Sequence, residues 1–309
     1  MRRWLILVLV VMFAGSLFAA DKPNIILITI DTLRADHLGC YGAKSNASPH
    51  IDQLAAKSVI FENAYSVAPI TLTSHTTILS GVYPNKHGVR DNAVFAPAPQ
   101  PLLQESLKSG GYHTAAFVSG APLLSRFGLT RGFDLYDDDF AGRERTAETT
   151  TQRALQWITH QKSPYFVWIH YYDPHAEYQP PASYRERFRN QLYDGEIAFV
   201  DDQIGNLLAS IHSNAIILIT ADHGESLGEH GEKTHAVFLY NATLRVPLIL
   251  FSPGIKPGRR PEPVSLVDIA PTLREAAGLS AAESDGVSLN KPSADRSLYA
   301  ESLYAQRNF

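Results

Sequence analysis

The sequence predicts an α/β fold with a mostly parallel sheet sandwiched between helices, and three observations support this. Short continuous apolar runs rich in β-branched residues recur along the chain, which is typical of strands buried on both faces. Amphipathic segments with helix-start and helix-stop residues separate these runs. The 309 residues are 45% hydrophobic, which is enough for a large core. Strands that alternate with helices favour a parallel sheet covered on both sides.

The individual elements follow from this pattern. Strands are predicted at NIILITI, YHTAAFV, YFVWIHY, NAIILIT and VPLILF. Helices are predicted at SPHIDQLAAKS, PLLQESLKSGG, TAETTTQRALQWITHQ, LYDGEIAFVDDQIGNLLASI and VDIAPTLREAAG, the first with Ser48 as its cap and Pro49 in its first turn. The Pro/Gly-rich segment SPGIKPGRRPEP predicts a surface loop. Near the C-terminus, RSLYAESLYAQRNF predicts the start of another strand.

The N-terminal segment predicts export. Arg2 and Arg3 precede the apolar run WLILVLVVMFAGSLF, and the small residues Ala19 and Ala20 follow it. This pattern is typical of a secretory signal peptide, so we expect residues 1–20 to be removed from a periplasmic or extracellular protein. The alternative is an uncleaved membrane anchor, although the run is short for a full span.

The charge and cysteine content exclude other classes. The net charge is -4, and the only basic cluster is the Arg259–Arg260 pair, so no nucleic-acid partner is expected. The single cysteine, Cys40, excludes an internal disulfide.

Two of the most apolar predicted strands end in acidic residues. One continues into Asp31, and the other continues into Asp222 and His223. Ligands bind beyond the carboxyl ends of parallel strands, so these side chains are expected on one rim. Two carboxylates and an imidazole suit a divalent cation such as Ca²⁺, Mn²⁺ or Zn²⁺. The alternative is that each aspartate caps the helix that follows it.

A third predicted strand ends in Asp173, Pro174 and His175. His175 is expected to contact an anionic substrate with Asp173 orienting it, or the segment is a turn opened by Asp-Pro with an exposed histidine. The later stretch GEHGEKTHAVF places Lys233 and His235 on a polar loop after the acidic strand end. A loop lysine is normally just solvated.

The stretch PITLTSHTTILSG places several hydroxyls at a predicted helix start. Thr71, Thr73 or Ser74 follows Pro69 there, where free amides and the helix dipole favour an anion. A bound divalent cation would depress the pKa of such a hydroxyl and make it a nucleophile. Helix capping explains the same cluster equally well.

Four blocks, in this order, resemble the sulfatase family of the alkaline phosphatase superfamily: NIILITIDTLRADHLGCYG, GVYPNKHGVRDN, DHGESLGEHG and LRVPLIL…VDIAPTL. The resemblance runs from about Lys22 to Leu279. It implies an alkaline-phosphatase-like fold with a catalytic domain over residues 22–280. It also implies that residues 281–309 begin an incomplete C-terminal region, with the family's smaller C-terminal domain largely missing.

The resemblance also assigns a nucleophile and a metal site. Thr71 lies ten residues before Gly81, which is the nucleophile position of the family. True sulfatases carry Cys or Ser there, converted to formylglycine, whereas threonine cannot be converted and its relatives with threonine process phosphate esters. By the same resemblance, Asp31, Asp222, His223 and Thr71 hold the divalent metal ion.

Four further residues receive catalytic roles through the resemblance. His175 matches a family histidine that contacts the substrate anion, and Lys233 or His235 falls where the family places a cation for the ester oxygens. His75 is expected to help the metal ion, His175 and His235 stabilise the equatorial oxygens of the reacting group.

These observations together predict an exported, metal-dependent hydrolase of sulfate or phosphate esters that favours phosphate mono- or diesters. Its substrate is expected to be a small-molecule, glycan or lipid ester, with membrane association only if the N-terminal segment is uncleaved. One alternative is a transferase that moves a phospho-headgroup onto a lipid or glycan. The other is a non-catalytic binding protein that contains a metal.

Overall fold

A single mixed sheet organises the described part of the chain. The computed structural model describes residues 22–92, 100–162, 164–211 and 214–308. Its strands are β1 (Asn24–Ile30), β2 (Val59–Tyr65), β3 (His113–Phe117), β4 (Leu135–Asp137), β5 (Tyr165–Tyr171), β6 (Ala215–Ala221), β7 (Arg245–Val246), β8 (Leu248–Phe251) and β9 (Gly258–Ser265). Their order is β4-β3-β5-β1-β6-β8-β2-β7, with β9 alongside β2.

The prediction of a mostly parallel sheet is confirmed. Neighbouring strands from β4 through β3, β5 and β1 to β6 all run parallel. On the other side, β8 is antiparallel to both β6 and β2, and β7 is antiparallel to β2. Every residue of β1, β5 and β6 is buried, because helices cover the central strands on both faces.

The helices form two packed groups. They are α1 (Pro49–Ala55), α2 (Thr71–Ser80), α3 (Pro84–His87), α4 (Leu103–Ser109), α5 (Ala147–Ile158), α6 (Ala182–Arg187), α7 (Leu192–Ser210), α8 (Asn241–Leu244), α9 (Ile269–Ala276) and α10 (Tyr304–Asn308). One group joins α1, α5 and α6 to α7, and the other joins α2, α4 and α9. The long helix α7 therefore anchors one layer, and α2 lies in the other.

Two expected elements are wrong. The segment interpreted as a surface loop contains β9, which pairs parallel with β2. Pro261 is tolerated there because the pairing shifts register between Phe61 and Asn63, and a proline is accommodated at such an irregularity. Of the described C-terminal residues, 296–303 form no strand, and α10 follows them.

The start of α1 also differs from the prediction. Ser48 makes no side-chain cap bond to α1; its hydroxyl instead accepts the N–H of Gly39 at 2.9 Å. Asp201 of α7 caps the helix, with its two carboxylate oxygens accepting the N–H groups of His50 at 2.9 Å and Ile51 at 2.8 Å. A buried helix start needs acceptors for its free amides, and here a neighbouring helix supplies them.

The predicted signal peptide, residues 1–20, lies outside the described residues. Within the described ranges, the helices are too short or too polar to cross a membrane.

Candidate active site

The carboxyl ends of β1 and β6 bring the expected acidic residues together. Ile30 and Ala221, the last residues of these strands, are paired in register. Asp31 and Asp222 follow them directly, and both side chains are fully buried. This placement is the one predicted from the apolar strands that end in acid.

Asp31, Asp222 and His223 form a cluster suited to a cation. Their ligand atoms lie within 4.8 Å of one another, and His223 Nε2 is 3.4 Å from Asp222 Oδ2 and 3.8 Å from Asp31 Oδ1. Asp31 Oδ1 and Asp222 Oδ2 are buried without a hydrogen-bond partner. Such orphaned carboxylate oxygens are costly unless a positive charge faces them, and oxygen and imidazole donors suit a divalent ion. The residues therefore fit the metal that the family implies.

The pKa values of the two carboxyls reflect this crowding. Burial, followed by the negative charge of Asp222, holds the pKa of Asp31 well above its usual value. Burial acts in the same sense on Asp222, but the nearby rings of His223 and His75 outweigh it and lower the pKa. Without a cation, only one of these two carboxyls ionises readily.

Thr71 lies at the start of α2 and faces this cluster. Its Oγ1 is 3.5 Å from Asp31 Oδ2 and 3.5 Å from His223 Nε2. The hydroxyl of Ser74, one turn later, donates to the backbone carbonyl of Asp222 at 2.6 Å. This bond ties α2 to the end of β6 and fixes where Thr71 points.

The hydroxyl cluster at this helix start does not serve as a cap. Ile70 is the N-cap residue, and it makes no side-chain cap bond. Thr73 Oγ1 is buried without a hydrogen-bond partner, and the hydroxyl of Ser74 donates to the carbonyl of Asp222, the residue after β6. Of the two interpretations of this stretch, capping is therefore the one that the geometry does not support.

The structure places His75 beneath the site rather than at its surface. The ring is fully buried, Nδ1 donates to the Thr71 carbonyl at 2.8 Å, and Nε2 accepts the Thr29 hydroxyl at 3.0 Å. Burial lowers its pKa to about 3. With both nitrogens engaged and the ring neutral, His75 does not offer a donor to equatorial oxygens, contrary to expectation. Its ring instead bonds the main-chain carbonyl of Thr71.

His175 and His235 flank the other side of the cluster. The His235 ring lies 4.4 Å from that of His223 and 5.1 Å from that of His175. Nδ1 of His175 donates to the Ala176 carbonyl at 2.6 Å, and Nδ1 of His235 is 3.1 Å from Glu225 Oε1. In each ring Nε2 remains for other partners.

Lys233 and His235 were alternatives for the cationic position. Lys233 is exposed, and the described residues give it no ring contact, hydrogen bond or ion pair with the cluster. His235 lies in ring contact with His223. The geometry therefore favours His235.

Asp173 orients a helix rather than a substrate. Its Oδ1 accepts the N–H of Ala147, the first residue of α5, at 3.0 Å. Burial raises its pKa to about 7. The role expected for it beside His175 is not the one that the structure shows.

Two residues near the cluster were missed by sequence reasoning. His170, near the end of β5, is fully buried, and its Nε2 is 3.5 Å from Asp31 Oδ2. The Ser119 N–H points at His170 Nδ1 from 3.4 Å, so Nε2 carries the proton when the ring is neutral and faces the carboxylate. Glu225, buried at the cluster, accepts the Tyr178 hydroxyl at 3.2 Å, and burial raises its pKa to about 7. The sequence could have indicated His170, because it is a polar residue next to the carboxyl end of the predicted strand YFVWIHY.

The family described as Sulfatase matches residues 23–279. The chain belongs to the sulfatase family. Among curated sulfatases, the uncharacterized sulfatase YidJ of Escherichia coli (strain K12) is 24% identical, with 85% of this chain and 69% of that protein covered. The choline-sulfatase of Rhizobium meliloti (strain 1021) is 26% identical, with 87% and 71% covered.

Solved structures show the same fold. The phosphonate monoester hydrolase of Agrobacterium radiobacter superposes with a TM-score of 0.78 at 19% identity, covering 87% of this sulfatase and 76% of that chain. A protein solved in complex with its substrate D-glucosamine-2-N,6-O-disulfate gives a TM-score of 0.75 at 22% identity, covering 87% and 79%. The alkaline-phosphatase-like fold is confirmed, and family membership makes the chain an ester hydrolase rather than a non-catalytic binding protein.

Proposed function

We propose that this sulfatase-family chain is an exported, metal-dependent hydrolase that uses Thr71 as its nucleophile and prefers phosphate esters to sulfate esters. One observation carries the proposal. Thr71 Oγ1 stands at a helix start, 3.5 Å from both Asp31 Oδ2 and His223 Nε2. A hydroxyl in that position meets the two conditions for attack on an anionic ester: a site for an activating cation and a helix N-terminus.

The preference for phosphate rests on the nucleophile itself. Threonine cannot be converted to the formylglycine that the family resemblance associates with sulfate ester cleavage. The unmodified threonine hydroxyl can react only by direct attack on the phosphorus or sulfur of the ester. The resemblance associates this reaction with the phosphate-processing relatives. The solved phosphonate monoester hydrolases among the structural neighbours support including phosphorus esters in the range of substrates.

The cation site would be formed by Asp31, Asp222, His223 and the Thr71 hydroxyl. A divalent ion bound there supplies positive charge beside the reacting group and lowers the pKa of the hydroxyl. Asp31 Oδ2 accepts the hydrogen of the Thr71 hydroxyl and directs a lone pair of Oγ1 toward the substrate. The free amides at the start of α2 favour the anionic group that lies against them.

The reaction proceeds by in-line displacement in two steps. Thr71 Oγ1 gives its proton to Asp31 Oδ2 and forms a bond to phosphorus while the bond from phosphorus to the leaving oxygen breaks. The leaving oxygen takes the proton of His235 Nε2, and Glu225 passes its own proton to Nδ1 of the same ring, 3.1 Å from Oε1. Burial raises the pKa of Glu225 to about 7 and lowers that of His235 to about 4, so the proton starts on the carboxyl group. Water then displaces Thr71 from phosphorus: His235 Nε2 takes one proton of the water while Nδ1 returns its proton to Glu225, and Asp31 returns the proton to Thr71 Oγ1.

The test compares esters and metals on one protein. The chain without residues 1–20 is stripped with a chelator and assayed on p-nitrophenyl phosphate, its bis-ester and p-nitrophenyl sulfate with Ca²⁺, Mn²⁺ or Zn²⁺. We expect turnover only with metal, and faster turnover of a phosphate ester than of the sulfate. Undiminished turnover after chelation would refute metal dependence, and turnover of the sulfate alone would refute the preference. Adding an alcohol acceptor and identifying the products separates hydrolysis from transfer to the acceptor.

Export is tested separately with the full chain. The apolar segment after Arg3, ending in Ala19 and Ala20, supports it. In a bacterial host, we expect the mature protein in the periplasm or medium with its N-terminus after this segment. Retention in the membrane with an intact N-terminus would instead indicate an uncleaved anchor.

A further inference from the structure

A cavity of about 370 Å³ adjoins the candidate active site. His175 and His235 line one side of it, and Ile70, which directly precedes Thr71, lines another. Its volume falls at the lower end of the range for small-molecule pockets, roughly 300–1,000 Å³. In the proposed reaction, this position beside the histidines is where the alcohol portion of the ester would lie.

Part of the cavity wall comes from the C-terminal strap, residues 299–308. Tyr304 of the strap lines the cavity and packs against the small buried cluster of Val67, Ala68, Ile70 and Ala236. This cluster joins the segment before Thr71 to the segment after His235. The strap therefore contacts the two segments that carry the reacting groups.

Hydrogen bonds and ion pairs fix the strap in this position. The Glu301 N–H donates to the Val67 carbonyl at 2.9 Å, and the Ser302 hydroxyl donates to the Ala236 carbonyl. Glu301 also pairs with Arg90 at 2.9 Å, and Arg307 of the strap lies 4.0 Å from Asp91. The wall at Tyr304 is thus tied to the body of the protein on both sides.

The charges that line the cavity are acidic. Among the described lining residues, the acidic side chains are Asp91 and Glu177, and no lysine or arginine joins them. Asp91 is offset in part by Arg307, whereas Glu177 is exposed. A leaving group with its own negative charge would be repelled there, and an uncharged or cationic one would not.

We propose that this cavity is the leaving-group subsite, that Tyr304 forms its wall, and that Asp91 and Glu177 select uncharged or cationic alcohols over anionic ones. The inference rests on the proposed ester hydrolysis. It adds the charge and size of the alcohol and assigns a role to the C-terminal strap.

The charge test uses phosphate monoesters that differ at one ring substituent: those of 4-hydroxybenzamide, 4-hydroxybenzoate and tyramine. In the Glu177→Gln variant, kcat/KM for the 4-hydroxybenzoate ester should rise relative to the benzamide ester by about threefold, the effect of one screened charge at close range. The tyramine ester should move in the opposite direction. The exposed Glu275→Gln, on α9, is the matched control and should leave both ratios unchanged. Ratios that are equal in Glu177→Gln and wild type would overturn the charge selection.

The wall is tested with Tyr304→Ala beside Tyr304→Phe. Removing the ring should raise kcat/KM for a naphthyl phosphate relative to phenyl phosphate by about tenfold, whereas phenylalanine should keep the wild-type ratio. Thermal unfolding of both variants shows whether the strap still folds. Folded Tyr304→Ala with an unchanged naphthyl-to-phenyl ratio would overturn the assignment of the wall.

A binding measurement tests the leaving-group subsite separately from the proposed ester hydrolysis. The three charged and uncharged esters are titrated into Thr71→Ala by calorimetry in the presence of the metal ion. We expect the 4-hydroxybenzoate ester to bind more weakly than the other two, and the Thr71→Ala/Glu177→Gln double variant to remove this difference. That result supports the subsite even if the wild-type chain turns over no ester. Absence of turnover would refute the proposed reaction but not the subsite. Equal affinity for all three esters overturns the subsite.

Discussion

Replacing Thr71 by alanine separates the catalytic contribution of this hydroxyl from its contribution to stability. The hydroxyl contacts Asp31 and His223 at 3.5 Å each, so both hydrogen bonds are long and contribute little to folding. The loss of one buried methyl group costs about 1 kcal/mol. If Oγ1 is the nucleophile, kcat/KM should fall by about a thousandfold or more, equal to about 4 kcal/mol of transition-state stabilisation.

The assay is kcat/KM on the preferred p-nitrophenyl ester, together with the free energy of unfolding from a urea titration. Thr71→Ser keeps the hydroxyl and should retain part of the activity. Thr73→Ala removes the neighbouring buried hydroxyl, which has no partner, and should leave kcat/KM close to wild type. If Thr71→Ala retained more than about a tenth of wild-type kcat/KM, the threonine would not be the nucleophile.

Three further predictions concern the cluster and its surroundings. Asp222→Asn should weaken Ca²⁺, Mn²⁺ or Zn²⁺ binding by at least about tenfold because it removes one of the two carboxylates, and calorimetric titration of the metal-free chain measures this; unchanged affinity would refute the site. His170→Gln should lower metal affinity by about tenfold through the orientation of Asp31, with unfolding by urea as the check that the fold persists; wild-type metal affinity would show that His170 only fills space. Burial raises the pKa of Glu196 from 4.5 to about 8, so the folded state holds this proton more tightly than the unfolded state. The free energy of unfolding should therefore fall between about pH 4.5 and pH 8, by on the order of 2 kcal/mol. In Glu196→Gln, the free energy of unfolding should depend less on pH over this range. A pH dependence identical to that of wild type would show that other groups cause it.

Local sequence was sufficient where burial alone defines an element. The bounds of β1 and β5 were predicted to the residue, because a strand buried on both faces is a continuous apolar run. Three other predicted strands correspond to β3, β6 and β8, with their ends within two residues of the prediction. The meeting of Asp31 with Asp222 follows from the same rule, since adjacent parallel strands end at one rim.

Features that depend on a distant partner were missed. In β2, Glu62 and Asn63 interrupt the apolar pattern, and in β9 the exposed Arg259 and Arg260 resemble a loop. β9 pairs with β2, and β2 also pairs with β7 and β8. These partners are far apart in the sequence, as the 198-residue separation of the Asn63–Pro261 contact illustrates. Local sequence carries no record of such pairing.

The same limit applies to side-chain roles. His75 and Asp173 were assigned to substrate because their types suit anion binding or orientation. Their partners, the Thr29 hydroxyl and the start of α5, come from other segments of the chain. Whether a histidine or aspartate binds a ligand or only holds its neighbours in place depends on the hydrogen-bond donors and acceptors that surround it. Those come from segments that are distant in the sequence.

The position of β1 in the sheet has a consequence for synthesis of the chain. Within the described part of the chain, β1 pairs with β5 on one side and β6 on the other, and the bond from Tyr165 to Asn24 already spans 141 residues. Until β5 and β6 have been synthesised, both edges of an apolar strand are open to pairing with other chains. The nascent protein must therefore remain unaggregated until Tyr165 and the residues that follow it have been synthesised. Closing contacts of such long range is slow.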